Sequence, residues 1–177
     1  MKSKWLWALL VGLAGVAVYG GIALATPPSG VTNPPWSPVI GNFAGGIDAT
    51  AKTDTDPDNA TDFWQIRISA KGATDVHVLE NIIDPGGTFG WHGHPGPSLV
   101  IVKSGTLSVY HAPDCTPEDV GPGSPNGSTF VDQGHDVHMV RNNSTTDIAD
   151  VYVVSFVPAG FSRRIDEPNP NPTICPN

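Results

Sequence analysis

Charged side chains are scarce in this chain, 15% of 177 residues, and basic ones scarcest, with nine Lys and Arg against seventeen Asp and Glu. A formal charge of −8 excludes nucleic acid as a natural partner, because phosphates need a basic surface. Only two cysteines are present, enough for a single disulfide and too few for a disulfide-dense scaffold. Beyond the apolar N-terminus no stretch carries the 3.6-residue period of an amphipathic helix, which excludes a helical bundle. Neither a glycine-rich phosphate loop nor a Ser/His/Asp arrangement stands out. What is abundant is turn chemistry: twenty glycines and eighteen prolines favour an all-β domain.

The N-terminus differs in kind. Lys2 and Lys4 precede an almost wholly apolar run from Trp5 to Tyr19, and Ala23-Leu24-Ala25 supplies the small-x-small pattern of a signal-peptidase site. Residues 1–25 are therefore expected to be a signal peptide. An uncleaved anchor is the other reading, since Trp5 to Ala25 approaches the ~20 residues that span a bilayer. Either one exports the remainder, leaving secreted, periplasmic and membrane-anchored destinations open. In an oxidising compartment Cys115 and Cys175 are expected to form one disulfide that tethers the tail, residues 161–177; two free thiols are the alternative.

Residues 26–62, with Pro27-Pro28, Pro34-Pro35 and the acidic run Asp54 to Asp58, read as an extended spacer, although Trp36, Val39, Ile40 and Phe43 could lie on the domain as an added strand. From Phe63 to Gly160 the pattern is that of strands. Trp64, Ile66 and Ile68 alternate with polar neighbours; Val76 to Ile83 forms a second run; Asp84-Pro85-Gly86-Gly87 reads as a turn. Leu99 to Val102 and Leu107 to Tyr110 flank a hairpin around Gly105, and Ile148 to Val157 is the last long strand.

His92 and His94 share one face of an extended strand, about 7 Å apart at their Cα atoms, near enough for two imidazoles to meet on one ion. Gly86, His92, His94, Ser98 and Gly105 are spaced as in the first cupin motif, and Gly127, Gln133, His138 and Asn142 as in the second. The chain thus resembles the cupin superfamily over roughly residues 64–160. The family has glutamate where Ser98 stands, proline where Gln133 stands and glycine where His135 stands. The resemblance implies an all-β, double-stranded β-helix or jelly-roll barrel, and a divalent metal ion (Fe, Mn, Ni, Zn or Cu) held by His92, His94 and His138. Without the glutamate the centre is expected to be three neutral imidazoles of net charge near +2, with positions open for water or substrate. Glu80 could return a carboxylate from a neighbouring strand. Thr88, Ser98 and His135 are candidate pocket residues, whereas Asn142 reads as structural and Trp91 as packed on the opposite face.

Three functions fit that constellation. The first is an exported metal-dependent cupin, of dioxygenase-like or Lewis-acid type, acting on a small polar molecule. The second is a non-catalytic small-ligand or metal-binding module. The third is a structural cupin with a vestigial site. Homodimers are common in the family, so a second copy is a further expected partner. No general base is identifiable, so the catalytic residues stay unassigned.

Overall fold

The structure is a computed structural model describing residues 24–54 and 63–177. The expected signal peptide lies outside these residues except for its last two, as does the acidic run beyond Asp54.

No helix occurs among the described residues. Twelve strands follow one another: β1 (Ser29–Thr32), β2 (Val39–Phe43), β3 (Ile47–Asp54), β4 (Phe63–Ala70), β5 (Thr74–Gly93), β6 (Ser98–Ser104), β7 (Leu107–His111), β8 (Pro117–Val120), β9 (Thr129–Asp132), β10 (His138–Arg141), β11 (Ala149–Pro158) and β12 (Ile165–Asp166). Ten join one antiparallel sheet that rolls into a nearly closed barrel, in the order β8-β7-β10-β5-β11-β6-β9, with β1, β2 and β12 also on β5. The long strand β5 is the hinge of this topology. Its first half pairs with β11, Leu79 opposite Val153, and its second half with β10, His92 opposite His138.

Where the sequence reads as a turn at Asp84 to Gly87, the chain stays in β5 and bends, with Gly86 at φ 74° supplying the left-handed residue at the corner. The expected hairpin at Gly105 is also different. β6 pairs with β9 and β11 while β7 pairs with β8 and β10, so the link joins two strands that lie apart in the sheet order rather than a paired hairpin. Gly105 is needed there because a Cβ would stand 2.7 Å from the backbone of Ala149. Inside the barrel, inward residues of β5, β6, β7 and β11 (Leu79, Ile83, Val100, Val102, Leu107, Val109, Val151, Val153) make the core.

In the described part of the stretch expected as a spacer, three strands form, β1, β2 and β3. β1 and β2 pair with β5, because polar side chains tie this Pro/Gly-rich segment down. Asn33 donates to the Glu80 carbonyl and to Asn81, Trp36 donates its indole N–H to Glu80 at 3.1 Å, and the Trp36 ring stacks on Tyr152. β4, expected as the first barrel strand, instead pairs with β3 in a separate two-stranded sheet whose Trp64, Ile66 and Ile68 remain exposed.

Candidate metal centre

Three histidines meet inside the barrel. His92 lies at the end of β5, His94 follows directly after the strand, and His138 opens β10 opposite His92. Ring centroids are 4.9 Å apart for His92 and His94, 4.4 Å for His92 and His138, and 5.3 Å for His94 and His138. All three are buried, and one ring nitrogen from each lies within 4.8 Å of the others.

The other nitrogen of each ring faces a backbone carbonyl. His92 Nδ1 is 2.8 Å from the oxygen of Gly90, His94 Nδ1 2.7 Å from that of Arg163, and His138 Nδ1 3.2 Å from that of Asp136. A carbonyl only accepts, so each Nδ1 carries the proton and donates. In the neutral ring each Nε2 then keeps its lone pair and turns it inward. This is the arrangement that fixes metal-ligating imidazoles. Burial holds the rings neutral. It depresses His92 far below the usual imidazole range, reinforced by the charges of His138 and Arg164. Burial likewise lowers His138, against the pull of Asp132. His94 is lowered to about 4, burial outweighing its bond to the Arg163 carbonyl and the Asp132 charge.

The donor set fits a divalent ion: three neutral imidazoles, correctly tautomerised, with lone pairs converging in a buried space. The cavity beside them is small, about 40 Å³, and its walls are mainly apolar, among them Phe89, Val100, Leu107 and Phe130. Arg163 belongs to the same lining. A larger hollow of about 530 Å³ lies between β4 and the outer side of β11, lined by Ile66, Ile68, Leu99 and Phe156, and contains none of the histidines.

The other expected site residues fall elsewhere. Thr88 does not line the cavity; its hydroxyl donates to the Val140 carbonyl and accepts from Gly90 N–H. The cause is a bulge: Trp91 faces Met139 but Thr88 faces Arg141, so β5 has one residue more than β10 and Phe89 takes the inward place. Gly90, at φ 68°, carries that bulge. Ser98 is buried but pairs hydroxyl to hydroxyl with Ser155 at 2.8 Å. His135 is exposed, at φ 63° in the place where the motif has glycine. Glu80 does not reach the cluster, because it binds Lys103 and Trp36. Asn142 is structural as expected, its amide donating to the carbonyls of Ile83, Asp84 and Asp147. Trp91 packs away from the cluster against Met139, Tyr110 and the disulfide formed by Cys115 and Cys175.

Asp132, which the sequence reading passed over, is a neighbour of the cluster. It ends β9 opposite Ser98, and its Oδ2 lies 3.2 Å from His94 Nε2 and 3.6 Å from His138 Nε2. Its place immediately before Gln133 of the second motif was the only signal available.

No protein-family model matches the chain, and no curated protein matches it either. Among solved structures, a cupin-like protein from Thermotoga maritima is 15% identical, with a TM-score of 0.43 over 69% of this chain and 77% of that one. A cupin superfamily protein from Desulfitobacterium hafniense is 10% identical, with a TM-score of 0.39 over 62% of this chain and 78% of that one. An oxalate oxidase structure is 24% identical, with a TM-score of 0.39 over 48% of this chain and 46% of that one, so the chain spans less than half of that protein. The fold assignment stands on the molecule itself: ten strands in one antiparallel barrel, with histidines from both motifs brought together on paired strands, make this chain a cupin-type double-stranded β-helix carrying a buried three-histidine cluster.

Proposed function

We propose that the barrel is a mononuclear metal-binding cupin in which His92, His94 and His138 hold one divalent ion through Nε2. The observation that carries this reading is the fixed tautomer of all three rings, each Nδ1–H given to a backbone carbonyl so that three lone pairs share one buried space. Such an ion supplies Lewis acidity and, where the metal is redox-active, oxygen chemistry. The chain's own part is positional. Carbonyls of Gly90, Arg163 and Asp136 orient the rings, and apolar walls keep bulk water out. A cavity of about 40 Å³ limits the reacting molecule to a few heavy atoms, which agrees with a small polar substrate.

The same small cavity favours a second reading, metal binding without turnover. Export belongs to the proposal. A signal peptide over residues 1–25 would deliver the chain to a compartment where Cys115 and Cys175 oxidise. A homodimer would bury the outward row Val131, Leu99, Val154, Val78 and Val39, which register aligns across five strands.

Metal content decides first. Protein purified without chelators is expected to carry near-stoichiometric metal by mass spectrometry, and a His92→Ala/His94→Ala variant to carry none. Equal trace metal in both, persisting after reconstitution with iron, manganese, nickel, copper and zinc, would sink the proposal. Oxygen consumption or turnover by the metal-loaded protein then separates the enzyme from the binding module.

A further inference from the structure

Asp132 brings a fourth acceptor to the cluster. Its Oδ1 accepts from the Gly134 amide at 2.8 Å, whereas its Oδ2 is buried and has no hydrogen-bond partner. At 3.2 Å from His94 Nε2 and 3.6 Å from His138 Nε2, that oxygen is within ion-pair range of both rings. Yet each ring already gives a proton from Nδ1 to a carbonyl, so in the neutral tautomer Nε2 has none to give. The lone pairs of His94 and His138 and this carboxylate oxygen therefore face each other with no donor among them. Buried acceptors are satisfied by a donor or a cation, and this group leaves room for the cation.

The spacing agrees for His94. Two ligand atoms each about 2.1 Å from one ion stand about 3.0–3.4 Å apart at octahedral to tetrahedral angles; the 3.2 Å to His94 falls in that range, and the 3.6 Å to His138 lies slightly beyond it. Register supplies a second argument. Asp132 is the cross-strand partner of Ser98, the position at which the first motif lacks its carboxylate. Ser98 itself is occupied with Ser155 and has only a short hydroxyl to offer.

Resting on the metal-binding reading above, we propose that Asp132 is the anionic fourth ligand of the centre, delivered from β9 across the strand pair from Ser98. The centre is then three imidazoles and one carboxylate, with net charge +1 for a divalent ion rather than +2. One coordination position fewer is open, and the metal's Lewis acidity is lower than a three-histidine set would leave it.

The decisive experiment uses zinc and cobalt(II) as probes. In the zinc-loaded wild-type crystal structure, Asp132 Oδ2 is expected about 2.0–2.2 Å from the ion. Asp132→Asn retains an oxygen for the Gly134 amide, and it is expected to weaken zinc binding at least about tenfold in competition with a chromophoric chelator. It should also shift the visible absorption of the cobalt(II) form. A zinc-loaded structure with Asp132 outside the coordination sphere overturns the proposal, whether or not the variant folds. So does unchanged affinity, or weaker affinity with an unchanged cobalt spectrum, which would make Asp132 only a counter-charge. Wild-type protein that takes up neither metal overturns the metal-binding reading instead.

Discussion

At the scale of single residues, the three buried rings control how the metal-free protein responds to acid. An unfolded imidazole takes up its proton near pH 6.5, whereas folded His94 resists until about 4 because burial penalises its charge. Between those values the unfolded chain binds more protons than the folded one. The stability contribution is therefore complete above pH 6.5 and is lost as pH falls toward 4. His92 and His138 are shifted in the same direction and steepen the loss. Thermal unfolding of the metal-free protein should show its midpoint dropping through this window, with a shallower drop in His94→Gln; a flat profile from pH 7 to 4 would contradict the burial argument. The histidines were legible in the sequence because strand periodicity and motif spacing are local properties. Asp132 was not, because its nearness to His94 depends on pairing between β6 and β9, a register set by tertiary packing. Glu80, a carboxylate that could in principle reach the metal but that suited a rim position better, is held on another side by Trp36 and Lys103.

At the scale of elements, the bulge at Gly90 aims the cluster. Alternation alone puts Thr88 on the inward face with His92 and His94, and one extra residue in β5 puts Phe89 there instead. Gly90 meets two demands at once. Its φ is 68°, and a Cβ would stand 1.9 Å from the carbonyl oxygen of Thr26. Gly90→Ala should therefore destabilise the fold by more than the ~1–2 kcal/mol that a left-handed residue costs, since the Thr26 backbone must also move. Because the Gly90 carbonyl holds His92 Nδ1, the same change should weaken metal binding. Urea unfolding and a zinc competition titration measure the two effects; an unstrained variant with unaltered affinity would remove the bulge from the account. Strand existence was readable from composition and alternation, and so was the absence of helix among the described residues. The crossing at Gly105 and the separation of β4 from the barrel were not, because a turn glycine does not say which strand the next one pairs with.

At the scale of the whole molecule, the C-terminal tail is the closing piece of the barrel rather than an appendage. The disulfide between Cys115 and Cys175 closes a sequence separation of 60 residues. Around it the tail is fastened repeatedly. The indole N–H of Trp91 donates to the Pro176 carbonyl at 2.9 Å, Arg141 donates to the Asn177 carbonyl, and β12 pairs with the end of β5. The tail also reaches the site, because Arg163 lines the cavity and its carbonyl orients His94. Loop-closure entropy for a separation of this size gives about 4 kcal/mol. For a domain of this length that corresponds to a fall in the unfolding midpoint of about 8–16 °C. Cys175→Ser, or reduction of the wild type, should show that fall. It should also speed the extraction of bound metal by a chelator, because a loosened tail frees Arg163 and uncovers the histidines. A stability loss with unchanged extraction rate would make the disulfide a staple for the fold alone. Loss of both together would mean that the tail guards the metal, because the residue that orients His94 lies in the same tethered segment.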